Sequence, residues 1–308
     1  MSFFGSIFSL LTLVGLMIAL SIGAVFFVYG KDLPSHESLA NYTPPTISRI
    51  YSTEGRIIDE FAEERRLFTP AEEIPPLIKE AFISAEDKNF YNHAGYDARG
   101  IAAALVEAVQ TRGQTVRGAS TITQQVMKNF LLSGDRRIER KIKEIILATR
   151  IEETLDKEDI LELYLNEIFL GQNSYGVTAA AQTYFNKSLD ELAPHEAAFL
   201  ASMPQAPGRT RPVYNKERLR DRRNFVLREM FENGYISREV MEAERALPVM
   251  SVQNGDYAPF RDSLPPRDYF TDEIRRQLSL DFGEGEFFTG WLTVRATIDP
   301  ELQVEAAN

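Results

Sequence analysis

Two adjacent carboxylates, Glu86 and Asp87, end an apolar run and are followed by Phe90, His93 and Gly95. A carboxylate at the end of an apolar helix can face a cleft wall, where desolvation favours the proton-bound form and brings the group toward general acid/base work. The same residues suit a solvated surface acid and a buried, hydrogen-bonded histidine, and spacing alone favours that plainer arrangement. A second stretch, "RGASTITQQVMKN" from Arg117 to Asn129, is dense in uncharged hydrogen-bonding side chains: Ser120, Thr121, Thr123, Gln124, Gln125 and Asn129. Such groups read sugar hydroxyls and amides, or orient phosphate oxygens near a helix N-terminus. An ordinary capped helix accounts for them about as well. A third stretch, "DRRIERKIKEIILATR" from Asp135 to Arg150, places Ile138, Ile142, Ile145 and Ile146 in one arc of a helix. Arg136, Arg137, Arg140, Lys141, Lys143 and Glu144 fill the opposite side.

A charge run is usually a solvated face. Here, however, five cations stand against one acid, and the run follows Arg117 and Lys128 in an otherwise acidic chain. A partner carrying several negative charges is the economical explanation. Phosphate or pyrophosphate suits arginine forks and lysine point charges; an anionic membrane surface is the alternative. Two further stretches carry less. Glu162 and Asn166 are four apart and share a helical face, which reads more readily as structural than as functional. "HEAAFLASMPQAP" is a small-residue helix ended by Pro204 and Pro207, suited to close helix packing.

The elements that must position these residues are mostly helical. Pro75 and Pro76 open a helix expected to run to about Phe90. Asp97 can cap "ARGIAAALVEAVQ", and Thr121 with Gln124 suits a capping box for "ITQQVMKNFLL". Further helices are expected at about 136–155, 157–168, 175–185, 190–203, 215–233 and 237–246, with Asp156 capping the second of these. "ISRIYSTEGRIIDEF" carries a hairpin signal about Ser52–Gly55, "YFTDEIRRQLSLDF" reads as a helix and "GWLTVRATI" alternates like a strand. Ahead of all this, Ile7–Val28 runs 22 residues without a charge or proline. As a helix it would span about 33 Å, the thickness of a hydrocarbon core. No Lys or Arg precedes it and no small-x-small site follows it, so it reads as an uncleaved anchor rather than a signal peptide. The expected organisation is a short cytoplasmic tail (1–6), a transmembrane helix (7–29), a tether (30–49), a catalytic domain (50–247) and a linker region (248–308).

Composition bounds the function. The 308 residues contain no cysteine, which excludes disulfides, thiolate metal sites and cysteine nucleophiles. A net charge of −11 argues against a general nucleic-acid binder. That figure is uneven. Residues 1–30 carry no charged side chain, whereas 112–150 hold nine Lys/Arg against three Asp/Glu.

Together these stretches resemble the glycosyltransferase domain of class A penicillin-binding proteins, family 51 of glycosyltransferases. The family's Glu-Asp-x-x-Phe-x-x-His-x-Gly is complete at Glu86, Asp87, Phe90, His93 and Gly95; Gly-x-Ser-Thr-Ile-x-Gln-Gln-x-x-Lys-Asn runs from Gly118 to Asn129; Arg-Lys-x-x-Glu is Arg140, Lys141 and Glu144. A fourth motif is similar to Lys157 through "ILELYLN", and a fifth to Glu196–Pro207. The match is strong over about residues 50–215. "YFTDEIRRQL" and "GWLTVRATIDPELQ" resemble the segment that leads into the transpeptidase domain of bifunctional, type 1A-like members. No Ser-x-x-Lys acylation motif occurs, so the chain is expected to be a truncated fragment of a bifunctional protein, not itself acylated by β-lactams.

The resemblance implies a mainly α, lysozyme-like fold and a peptidoglycan glycosyltransferase that polymerises lipid II into β-1,4-linked strands with inversion, releasing polyprenyl pyrophosphate. It implies Glu86 as general base, and Lys128, Arg136, Arg140, Lys141 and Lys143 as cations on the pyrophosphate. Glu144 would orient those cations or hold Mg²⁺ or Mn²⁺, while Asp87, Ser120, Thr121, Gln124, Gln125 and Asn129 would bind donor and sugars. It implies as partners lipid II, the lipid-linked growing glycan, the lipid bilayer of the bacterial inner membrane and other cell-wall synthesis proteins, with no nucleic acid and no organic cofactor. The catalytic domain would lie on the periplasmic side. A lysozyme-like hydrolase or lytic transglycosylase and a non-catalytic membrane scaffold are the competing readings; the basic cluster speaks against the first, because cleavage of polymer leaves no pyrophosphate to stabilise.

Overall fold

A computed structural model of the chain describes residues 3–31, 33, 39, 48–61, 65–111, 120–132, 137–204, 215–260, 269–283, 292–299, 302, 303 and 305. In chain order, α1 spans Phe3–Tyr29, and β1 (Ser48–Tyr51), β2 (Ile57–Phe61) and a short β3 (Arg65–Arg66) follow. Next come α2 (Pro76–Glu86), α3 (Ala98–Gln110), α4 (Ile122–Leu131), α5 (Arg137–Ile151), α6 (Lys157–Glu167) and β4 (Ser174–Tyr175). The described elements close with α7 (Val177–Phe185), α8 (Pro194–Ala201), α9 (Lys216–Glu232), α10 (Arg238–Ala246), α11 (Tyr269–Phe282) and β5 (Thr293–Arg295). The expected helices are present, with α2 shorter than expected. It stops at Glu86, where Asp87 leaves helical geometry (φ −158°, ψ 72°), and Phe90 is buried in a separate 3₁₀ turn. Two compact units result, Met1–Tyr42 with Tyr91–Lys157, and Thr43–Phe90 with Glu158–Asn308. The division falls inside the first motif and inside the expected catalytic domain.

In the first unit, α1 is long and apolar enough to cross a membrane over Ile7–Tyr29, with a mean hydropathy of 2.5. Its last turn meets α5, where Arg150 Nη2 donates to the Gly30 carbonyl at 3.3 Å. Most of the expected tether lies outside the described residues. α4 packs on α5; Ile122, Val126 and Met127 of the one and Ile146, Leu147, Ala148 and Ile151 of the other are buried. Of the expected isoleucine arc, Ile146 is buried and Ile142 and Ile145 are half-buried; Glu144, expected on the charged side, is buried, because the packed stripe runs through Leu147, Ala148 and Ile151.

In the second unit, α2, α8 and α9 pack on one another. Ala197, Ala198 and Ala201 of α8 are fully buried, so small side chains let these helices approach closely, as the fifth stretch suggested. Glu196, buried at the start of α8, takes both hydrogen bonds of Lys187 (2.7 and 2.8 Å), the Ala193 amide and the Tyr257 hydroxyl, which secures the segment after α10. Asn166 and Glu162 are structural too. The Asn166 amide pairs with both backbone groups of Thr69, and Glu162 Oε2 accepts the Ala71 amide at 2.6 Å. Arg223 of α9 is 1% exposed and donates to the carbonyls of Arg245, Leu247 and Pro248, which need partners where α10 ends. Arg223→Met is expected to lower unfolding stability by about 3 kcal/mol, because three carbonyls lose their charged donor. Chemical denaturation measures this, and an unchanged midpoint would refute it.

The hairpin forms about Gly55 (φ +82°), with Ser48 opposite Phe61 in antiparallel register. β5 adds to the far edge of β1, parallel, in the order β2-β1-β5. Ile50, Ile58, Phe61 and Ala296 are buried beneath Phe270, Ile274 and Leu278 of α11.

Candidate active site

The first unit assembles the second and third stretches around one ammonium. Lys141 Nζ donates to Ser120 Oγ at 2.7 Å, to Gln124 Oε1 at 2.8 Å and to Glu144 Oε2 at 3.1 Å. An ammonium has three N–H groups, so every one is directed. The Lys141 side chain is nevertheless 41% exposed and reachable. Glu144 is the reverse. Its side chain is 6% exposed, with Oε1 3.3 Å from Arg140 Nε and Oε2 on Lys141. A carboxylate enclosed in this way orients the cations on either side of it. Both oxygens face cations, and among the described residues no group of three or more His, Asp or Glu is placed to hold a metal by itself.

Backbone geometry fixes the turn that presents these groups. Thr121 Oγ1 accepts the Gln124 amide at 3.1 Å as the helix cap of α4 and donates to the Gly95 carbonyl at 2.7 Å. Gln124 does not reach back to complete the expected capping box; its carboxamide oxygen is spent on Lys141. Gly95 has φ +87°, and a Cβ there would strike the Ala148 backbone of α5, so glycine is the residue that fits on both counts. Other expected members stand apart. Lys143 pairs with Glu139 at 3.3 Å, and Lys128 and Asn129 are exposed at the end of α4. Gln125 is half-buried. Arg117, Gly118 and Arg136 lie outside the described residues, as does the side chain of Arg137.

The second unit holds Glu86 and Asp87 at the end of α2, whose Ile78, Ala81, Phe82 and Ile83 are buried. Glu86 Oε1 is buried, and Asp87 is 8% exposed. Two groups that the sequence did not assign to the site act on them. Tyr164 of α6 lies edge-on to Phe82, and burial holds its phenol far above the usual range, helped by the charges of Glu86 and Asp87. It therefore stays a neutral hydroxyl. Arg222 of α9 has Nε and Nη2 buried; burial lowers its proton affinity, opposed by the charges of Glu86 and Glu229. The Arg222 and Glu86 side chains therefore attract one another. The available signal was the pair Arg222–Arg223 set against the apolar Phe225–Val226–Leu227, where a plain surface helix has no need of cations.

The transglycosylase family matches residues 54–231. The chain belongs to that family. Penicillin-binding protein 1A of Rickettsia typhi is 41% identical to this transglycosylase over 309 residues, which cover 99% of the chain and 38% of that relative. Penicillin-binding protein 1A of Rickettsia felis is 43% identical over 98% of the chain and 38% of its own length. The crystal structure of penicillin-binding protein 1A from Haemophilus influenzae is 29% identical, covering 86% of this chain and 29% of that one, with a TM-score of 0.45. The chain thus spans under two fifths of the curated relatives it matches.

Proposed function

We propose that this transglycosylase is a peptidoglycan glycosyltransferase that polymerises lipid II into β-1,4-linked glycan at a bacterial inner membrane. The observation that carries the reading is the Lys141 ammonium, aimed by Ser120, Gln124 and Glu144 yet open to solvent. The acceptor's GlcNAc 4-hydroxyl attacks C1 of the donor's MurNAc. The new O–C1 bond forms as the C1–O bond to pyrophosphate breaks on the opposite face, inverting the centre. Glu86 takes the hydroxyl proton, and Arg222 supports the charge it needs beforehand. Negative charge grows on the departing pyrophosphate, so Lys141 and Arg140, fixed in advance by Glu144, stabilise the transition state more than the ground state.

The anchor fits a lipid-linked substrate. With α1 spanning the inner membrane and the catalytic residues on its periplasmic side, both sugars arrive at the surface where the domain is held. The test is extension of lipid II by the chain in detergent or bilayer. Accumulating glycan supports the reading; hydrolysis of finished peptidoglycan with lipid II untouched would replace it. Lys128, exposed on the last turn of α4, is assigned to the donor. Lys128→Ala is expected to weaken donor affinity about tenfold, as loss of one charge-assisted hydrogen bond. Unchanged affinity would remove Lys128 from the pyrophosphate.

A further inference from the structure

Glu152, the residue after α5, has no place in the motifs, yet three of them meet on it. Its side chain is 7% exposed, and its Oε1 collects groups from separate stretches. Thr123 Oγ1 donates at 2.6 Å from the first turn of α4, and Lys157 Nζ donates at 2.7 Å from the first residue of α6. His93 Nδ1 stands 4.0 Å away. A carboxylate this enclosed must have its charge met, and Lys157 meets it.

The consequence runs through α4. Successive helical side chains diverge by about 100°. Thr123 therefore points to Glu152 while its neighbour Gln124 turns to Lys141, so Glu152 holds the turn from behind and Lys141 is held in front. The loop carrying His93 and Gly95 is tied to the same turn through the Thr121–Gly95 hydrogen bond, with His93 standing near Glu152. Whatever fixes the rotation and height of this turn fixes the oxygens that aim the ammonium.

We propose that Glu152 is a positioning residue, which sets the placement of Lys141 through the first turn of α4. It rests on the reading that Lys141 serves the pyrophosphate of a lipid-linked donor. Glu152→Gln keeps size and an acceptor for Thr123 but removes the charge that draws Lys157. With the full chain in detergent and lipid II as substrate, this substitution is expected to lower kcat about tenfold, as a small misplacement of a catalytic group does. KM should move less than about threefold, and in a Lys141→Ala background the same substitution should cost less than about threefold, because residues that act as one unit are not additive. Costs that multiply across the two backgrounds, or an unchanged kcat, overturn the proposal.

A second measurement needs no turnover. Hydrogen exchange at the first turn of α4 is expected to quicken about tenfold in Glu152→Gln and in Thr123→Val, which removes only the hydroxyl. Unchanged protection in both variants overturns the proposal. Faster exchange in a chain whose wild type never extends lipid II would sink the polymerase reading while leaving Glu152 as the residue that places α4.

Discussion

Glu86→Gln is expected to slow glycan growth about 10²–10⁴-fold while leaving lipid II binding intact, the range over which a general base acts. The substitution keeps the shape of the side chain and gives up its ability to accept a proton. The end of α2 is set by a buried apolar face, and Tyr164 beside it is a neutral hydroxyl whatever occupies position 86 at neutral pH. The substitution also removes a charge that offsets the burial of Arg222, so thermal unfolding of the variant serves as the control. Initial rates of lipid II consumption and equilibrium binding are measured on the same preparation. Undiminished polymerisation would remove Glu86 from the proton transfer; loss of binding together with rate would make it a binding residue.

The second large effect is at Lys141. Lys141→Ala is expected to lower kcat about 10²–10³-fold, the scale seen when one preorganised charge or donor is withdrawn from a developing anion. Three acceptors lose their donor at once, and Glu144 is left with Arg140 alone. Lys141→Arg is expected to rescue poorly. A planar guanidinium cannot satisfy Ser120, Gln124 and Glu144 in the directions an ammonium does, although the charge is retained. Full rescue by arginine would mean that charge alone matters at this position. A loss confined to KM would mean that Lys141 binds donor and transition state equally.

Much of this was legible before any coordinates. Thr121 announces a cap and the Pro75–Pro76 pair announces the start of α2, because each is a local signal that acts within one or two turns. What lay beyond reach depends on contacts between distant segments. Gln124 forms half a capping box on spacing, yet its oxygen goes to a lysine seventeen residues on. Glu144 reads as one acid among solvated cations, whereas it is the buried member that the cations attend. Lys143 sits in the same basic run but faces Glu139, since a helix turns successive charges to different sides. Arg222 and Glu152 carried no motif at all; their meaning comes from what packing brings near them.

The parallel pairing of β1 with β5 also sets an order of events. Arg49 meets Thr293 and Tyr51 meets Arg295, so β1 must wait for a strand made only after α11. The β1–β2 hairpin can form as soon as it leaves the ribosome, while chain synthesis at about 5–20 residues per second withholds its other neighbour. Throughout that interval β1 presents an open edge, the kind of surface that pairs with any passing strand. Closing it means joining segments separated by every catalytic helix, a slow long-range step. The catalytic helices are thus made while this seam is still open, and it closes after them.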